Sequence, residues 1–300
     1  LDGTGLFGGN TGWTFNQLTF GDGSGVATTT STGTGSVTSA TTTIAVNQIM
    51  DAGVNKTWNL TASHEPFQLS GTLLASSSTF VYQGTNNATV TPATYYNLSL
   101  APTSGSPTYL IGTTTGQTIT VNNNLTLGGA GAATIDVNTR DPVLDINGSL
   151  TIGSGDTFSA SDTGTFSLAG SFTNNGTFNA NGGTLTLDST TVATILSTNN
   201  MTFHNLTATT PGKSLQFQKH TANTPTFTFD SGGQFTVTGS GGTPNNFIKI
   251  QSDIPGNQWL VFFTSAQNAI TYAFVRDSAC ALNSLSVAFS ITNAGGGNNG

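Results

Sequence analysis

Apolar and polar residues alternate, one for one, along most of this 300-residue chain. Clear examples are GTFSLAGSFTN (Gly164 to Asn174), GTFNANGGTLTLD (Gly176 to Asp188), TFTFD (Thr226 to Asp230) and GQFTVTG (Gly233 to Gly239). Each run has Leu or Phe on one face and Thr, Ser or Asn on the other, with turn residues at its ends, which is typical of half-buried strands. Because the residues that favour helices are scarce, the pattern predicts an all-β fold of many short strands.

A loose motif, Asn or Gly followed by a short polar spacer and Leu/Phe-Thr-apolar, recurs along the chain, for example as NNLTLG from Asn123 and NGSLTIG from Asn147. The motif positions Leu125, Leu150 and Phe172 lie 25 and 22 residues apart, within the range of about 20 to 50 residues that solenoid repeats occupy. A coil of this length holds two or three short strands. The spacing therefore predicts a parallel β-helix of about 10 to 13 coils, in which equivalent apolar side chains stack.

Tandem β-sandwiches are the alternative fold, because short alternating strands with frequent turns also suit a sandwich. The recurring motif and the irregular Gly-rich turns favour the β-helix. In that fold, Thr suits the exposed pleated surface, and Asn and Gly adopt the positive φ angles that corners require. Equivalent Asn side chains are expected to form hydrogen-bonded ladders between coils.

Three stretches carry the repeat most clearly: NNGTFNANGGTLTLD (Asn174 to Asp188), TFHNLTA (Thr202 to Ala208) and ITYAFVRDSAC (Ile270 to Cys280), the last shortly before the closing GGGNNG. They resemble the repetitive right-handed β-helix (β-solenoid) proteins of bacterial cell surfaces, which are adhesin-like or autotransporter-passenger-like. The resemblance covers most of the chain, best from Asn123 onward. It implies a right-handed β-helix, an extracellular location and a structural or adhesive role.

The pattern divides the chain into three parts with approximate boundaries. Residues 1–40 hold a first coil and a Gly/Thr/Ser-rich segment, residues 41–210 form the repetitive β-helix body, and residues 211–300 form terminal coils that are richer in Phe. The stretch from Thr28 to Thr43 is predicted to be a loop or a polar edge strand. It is also our candidate for a strand donated to a neighbouring molecule.

Charge and cysteine content exclude several function classes. Charged residues make up 6% of the chain and the net charge is −7, against about 25% charged residues in ordinary soluble proteins. The six Lys and Arg residues are scattered, so they form no basic stripe for nucleic acid. One cysteine, Cys280, makes neither an internal disulfide nor a multi-cysteine metal site. No stretch approaches the about 18 apolar residues of a membrane span, and the composition favours an extracellular material.

Acidic residues offer one candidate for catalysis. A lyase or hydrolase on this fold needs two or three carboxylates that converge on one face, and IDVNTRDPVLDING supplies Asp136, Asp141 and Asp145 beside Arg140. These residues do not share one strand parity, and Pro142 interrupts the run. A turn with a surface Arg–Asp pair is therefore the preferred interpretation, and we predict no catalytic residue, no cofactor and no enzyme activity.

Histidines and aromatic residues do not change this picture. His64, His204 and His220 are isolated, whereas a zinc site needs three or four converging ligands. Arg276 and Asp277 are adjacent, and adjacent side chains on a strand face opposite ways. Aromatic residues can act as stacking platforms for sugars, but those of this chain are better explained as core or capping residues: Trp13, Trp58, Trp259, Tyr95 and Tyr96.

Nine Asn-x-Ser/Thr sequons are present, against about eight expected by chance from this composition. They are therefore a by-product of the abundant Asn, Ser and Thr, although some could accept glycans in a secreted protein. The candidate acceptors are Asn59, Asn97, Asn124, Asn147 and Asn205.

The beginning and the end of the chain resemble each other. GGGNNG at the end is similar to FGGNTG from Phe7 to Gly12, which continues into Trp13. Coils at the end of a solenoid expose unpaired strand edges, so we expect either a covalent tandem array or head-to-tail pairing of separate copies. The predicted assembly residues are Leu6, Phe7, Trp13, Phe15, Phe289, Ile291, Asn298 and Asn299.

These observations predict a structural subunit or repeat segment of an extracellular bacterial surface fibre. Its expected partners are copies of itself and, for an adhesive fibre, surface glycans. The alternative is a carbohydrate-active or glycan-binding β-helix protein, which carboxylates converging in a groove would favour.

Overall fold

The computed structural model describes residues 3–221, 225–265, 267–280 and 287–288. Strands dominate these residues, and parallel strands stack coil upon coil as a β-solenoid of about 11 turns. The predicted all-β parallel β-helix is confirmed. Because the strand registers given below are parallel, they do not fit antiparallel β-sandwiches. The right-handed sense of the coil stays a prediction.

The strands of the first half of the chain are β1 (Gly5–Gly8), β2 (Trp13–Phe20), β3 (Ala27–Thr32), β4 (Val37–Ile44), β5 (Gln48–Asp51), β6 (Thr57–Leu60), β7 (Phe67–Leu69), β8 (Thr72–Leu74), β9 (Thr79–Tyr82), β10 (Ala88–Val90), β11 (Thr94–Tyr95), β12 (Asn97–Leu100), β13 (Thr108–Ile111), β14 (Thr118–Val121), β15 (Leu125–Leu127), β16 (Thr134–Asp136) and β17 (Val143–Ile146).

The strands of the second half are β18 (Leu150–Ile152), β19 (Thr157–Ser159), β20 (Phe166–Leu168), β21 (Phe172–Asn174), β22 (Thr177–Asn179), β23 (Thr184–Leu187), β24 (Ala193–Ser197), β25 (Met201–Ala208), β26 (Ser214–Phe217), β27 (Thr226–Thr238), β28 (Ile248–Ser252), β29 (Trp259–Phe263), β30 (Gln267–Thr271), β31 (Ala273–Val275), β32 (Ser278–Cys280) and β33 (Val287–Ala288). A short 3-10 helix, Pro244–Asn246, precedes β28.

Internal contacts divide the chain into two compact units, residues 1–145 with 153–157, and residues 146–152 with 158–300. This division is separate from the predicted boundaries at residues 40 and 210, which stay a prediction.

In the first unit, one sheet is common to the successive coils and has the order β2-β4-β6-β9-β12-β15. The early coils add a second sheet, β1-β3-β5-β8, and the later coils instead add β10-β13-β16 and pair β11 with β14. The outline of the coil therefore changes between β8 and β12.

The length of a coil varies considerably. Phe80 pairs with Leu98, 18 residues later, whereas Ser214 pairs with Lys249, 35 residues later. The predicted equivalence of Leu150 and Phe172 is confirmed by the register of β18 and β21. Because the coil length varies, the alternation of apolar and polar residues continues along the chain, but the repeat has no fixed length.

In the second unit, two long sheets have the orders β18-β21-β24-β26-β28-β31 and β20-β23-β25-β27-β29-β32. TFTFD and QFTVT, which the sequence pattern treats as two strands, form the single strand β27. The register between β25 and β27 shifts at Phe203/Asn205. Gly233 permits this path, because a Cβ there would lie 2.2 Å from the carbonyl oxygen of His204.

The stretch from Thr28 to Thr43 is neither a loop nor an edge strand. It forms most of β3 and β4, and each of these strands has a paired neighbour on both sides. Apart from Val37, its inward side chains are small and polar, and Ser39 Oγ lies 2.6 Å from Thr42 Oγ1 in the core. A strand held on both sides cannot be donated, so this part of the prediction is wrong.

Candidate functional site

The first coil has one edge without a strand partner among the described residues. There β1 pairs with β3 and β2 with β4, each on one side only. Trp13 faces Val37 in the ladder, and its N–H donates to Ser36 O at 2.9 Å. Because successive residues of a strand bond to opposite sides, Thr14 directs its N–H and C=O away from β4. The outward side of β1 and β2 is called the assembly edge.

An aromatic cluster closes the core beneath the assembly edge. The centroid of the Phe7 ring lies 5.0 Å from that of Trp13, 5.3 Å from that of Phe20 and 6.0 Å from that of Trp58. Phe7 and Trp58 stack across the intervening coil, where the ladder partner of Phe7 is the small residue Ser31. The small polar residues of β3 and β4 thus leave room for the rings of the first coil to turn inward.

The predicted assembly residues that the structure describes lie at this edge but differ in exposure. Leu6 is 78% exposed and Trp13 is 38% exposed, while Phe15 is half-buried and Phe7 is buried. The remaining predicted residues lie outside the described part of the chain: Phe289, Ile291, Asn298 and Asn299. The edge therefore offers exposed apolar side chains beside backbone groups that can extend a sheet.

Three of the candidate glycan acceptors each bond to the preceding coil through the side-chain amide. The Nδ2 atoms of Asn59, Asn97 and Asn205 each donate a 3.2 Å hydrogen bond to a Thr hydroxyl of the preceding coil. Asn124 and Asn147 also have partners. Since Nδ2 is the atom that would carry a glycan, modification of Asn59, Asn97 or Asn205 would replace one of the two N–H groups on an atom that already donates between coils. Glycan attachment at the five sites stays a prediction.

Two of the three acidic candidates, Asp136 and Asp141, lie at turns, whereas Asp145 lies within β17. Asp136 accepts hydrogen bonds from the N–H groups of Asn138 and Thr139, at 3.0 and 2.9 Å. Asp141 adopts a φ of 45° at the following corner. Within the described residues, no three His, Cys, Asp or Glu side chains are grouped so that they could hold a metal ion.

Arg276 and Asp277 form a corner pair that the strand-parity argument did not predict. Asp277 has a φ of 56°, so the two adjacent side chains do not point opposite ways. Arg276 Nε lies 3.0 Å from Asp277 Oδ2, and the buried carboxylate also accepts the N–H of Gly256. His204 also contacts a carboxylate, because its Nδ1 lies 2.6 Å from Oδ1 of Asp230.

Two of the six scattered Lys and Arg residues, Lys56 and Lys213, are buried. Lys56 Nζ donates to the carbonyl oxygens of Thr32 and Gly33, at 3.0 and 3.4 Å. Lys213 Nζ donates to two carbonyl oxygens of an earlier corner, at 2.7 and 3.1 Å. Burial lowers the pKa of both amines. The shared sequence signal is a Lys directly before a strand, in NKTW and GKSL.

Buried tyrosines lie where the coil of the first unit changes its outline. Tyr82 and Tyr95 hydroxyls lie 3.2 Å apart, and Tyr95 donates to Thr91 O at 2.7 Å. Tyr109 donates to the carbonyl oxygens of Tyr82 and Gly84. Burial raises the pKa of Tyr82 to about 12 and raises the pKa of Tyr95 and Tyr109 as well.

Trp58, Trp259 and Tyr95 are buried as predicted, whereas Trp13 is partly exposed.

None of the helices in the described residues is long and apolar enough to cross a membrane. Comparison with known proteins gives no family model, no curated protein and no solved structure that matches the chain.

Proposed function

We propose that this chain is a structural segment of an extracellular fibre of the bacterial surface, in which coils stack end to end through the assembly edge. The observation that carries the proposal is the combination, in one coil, of outward backbone groups at Thr14 with the exposed side chains of Leu6 and Trp13. A further parallel coil would satisfy those backbone groups and cover those side chains.

The composition also supports this function. With 6% charged residues, the chain has few of the edge charges by which proteins discourage strand pairing. The added coil comes from another copy in a non-covalent polymer, or from the neighbouring repeat in a tandem array. Both arrangements use the same edge, and an adhesive fibre would use the outer faces that remain exposed.

Filament formation by the purified chain tests the non-covalent form. We expect filaments that lengthen with protein concentration, seen by electron microscopy and sedimentation velocity. Thr14→Pro removes an outward N–H that bonds to no described residue, so it should reduce assembly at least about tenfold, while Thr14→Ala keeps that N–H and should assemble normally.

A chain that stays monomeric at high concentration would contradict the non-covalent polymer. Assembly of Thr14→Pro at the level of the Thr14→Ala control would show that the polymer uses a different surface. Circular dichroism of both variants confirms that each remains folded before assembly is compared.

A further inference from the structure

A groove of about 870 Å³ lies on the outer face of β10 and β13, within the first unit. Thr89, Leu110 and Asp136 follow one another in the ladder and form its floor. Ser63 and His64 contribute to one wall. The strands that it crosses are about 4.8 Å apart, so its three floor residues span about 10 Å.

The groove does not offer an open strand edge to a peptide. His64 already occupies that edge of β10, because its N–H donates to Asn87 O and its carbonyl accepts the N–H of Thr89. Strand addition depends on free backbone donors and acceptors, and here the corner at His64 uses them. A ligand in the groove must therefore bind through side chains.

The side chains in the groove are hydrogen-bonding groups with little charge. The amide of Asn86 and the hydroxyls of Thr89 and Thr108 make no hydrogen bond to another described residue, and Asn87 uses its Oδ1 to accept the N–H of Thr108. Hydroxyls and amides both donate and accept. None of the lining residues is Lys or Arg, so phosphate and sulfate groups find no cation there.

We propose that this groove binds a neutral oligosaccharide. Such a ligand has many hydroxyls that match the unpaired hydroxyl and amide groups of Asn86, Thr89 and Thr108, and C–H faces that fit the apolar side chain of Leu110. The Asp136 carboxylate already accepts hydrogen bonds from its own turn, and it disfavours a negatively charged saccharide. The proposal does not depend on the assembly edge.

Titration of the ¹⁵N-labelled chain with neutral and anionic oligosaccharides tests the proposal. The probes are the hexasaccharides of glucose (β1,4- and α1,4-linked), xylose and N-acetylglucosamine, with hexagalacturonate as the anionic probe. We expect at least one neutral probe to shift the amide signals of Thr89, Thr108 and Leu110. Thr89→Ile/Thr108→Ile keeps the β-branched shape but removes two hydroxyls, and should weaken binding about tenfold.

The matched control is Thr118→Ile/Thr120→Ile on the outer face of β14, which lies outside the groove and should bind as the parent chain does. The proposal is overturned if no neutral probe shifts groove signals, if hexagalacturonate binds more tightly than the neutral probes, or if both double variants bind equally well. Filament formation is measured separately, so failure here leaves the assembly proposal intact.

Discussion

At the scale of single residues, the two buried lysines show how the solenoid satisfies its corners. Each ammonium group donates to carbonyl oxygens of a preceding corner, more than 20 residues earlier in the chain. The lowered pKa shows that burial disfavours the charged form. Lysine nevertheless suits these two positions, because its long stem can reach carbonyl groups that a strand ladder does not satisfy.

Lys213→Met is expected to lower the free energy of unfolding by about 1 to 3 kcal/mol at pH 7, because it removes two hydrogen bonds that the charged amine donates to the carbonyl oxygens of Ser189 and Thr191. Urea unfolding measures the change. Lys249→Met, on an exposed position of β28, is the matched control and should change stability by less than about 0.5 kcal/mol. A neutral or stabilising Lys213→Met would mean that relief of ammonium desolvation outweighs the lost hydrogen bonds.

At the scale of elements, the corner between β22 and β23 uses three consecutive residues for different reasons. Asn181 and Gly182 have φ angles of 50° and 85°, which turn the chain. Gly183 is needed for space, because a Cβ there would lie 1.9 Å from the carbonyl oxygen of Ser161. Asn and Gly are expected at the corners of such a fold, but the close approach of the preceding coil depends on tertiary stacking.

Gly183→Ala should therefore destabilise the fold more than Gly182→Ala. We expect a loss of about 3 kcal/mol or more at Gly183, where backbone must move, and about 1 to 2 kcal/mol at Gly182, where the strain is only conformational. Thermal and urea unfolding of the two variants measure both losses. Equal losses of unfolding free energy in the two variants would show that the backbone at Ser161 moves aside at little cost.

At the scale of the whole molecule, stability at high pH depends on buried tyrosines. An unfolded tyrosine titrates near pH 10, whereas burial raises the pKa of Tyr82 to about 12 and raises that of Tyr95 and Tyr109. Above pH 10 the unfolded chain loses these protons and the folded chain keeps them. The stability that the three groups provide is complete below pH 10 and is lost as the pH rises through their folded pKa values.

The free energy of unfolding should fall by about 1.4 kcal/mol per pH unit for each such tyrosine above pH 10.5. The two lysines with lowered pKa contribute an opposite slope that fades as unfolded lysine loses its proton near pH 10.4, and this slope is the same in the parent chain and in a tyrosine variant. Urea unfolding between pH 9 and 11.5 measures the slope. Tyr109→Phe should reduce it by about one third, and an unchanged slope would contradict this origin.

Much of the fold was predictable, because strand formation is a local property. Alternation marked most strands, and the spacing of Leu150 and Phe172 predicted a register that the structure confirms. The tyrosine network was not predictable, since Tyr82, Tyr95 and Tyr109 meet only because the coil changes its outline. The assembly edge was predictable in part: Leu6 and Trp13 are exposed there, whereas Phe7 turns inward.

The sequence by itself determined an all-β solenoid, because period-two alternation and corner residues such as Asn and Gly act within a few neighbouring residues. Only the tertiary structure decided which residues stack, because ladder partners lie 17 to 35 residues apart and that distance changes from coil to coil. Side-chain contacts between coils follow from those registers. The buried lysines, the groove beside His64 and the inward turn of Phe7 are therefore properties of the stacked coils.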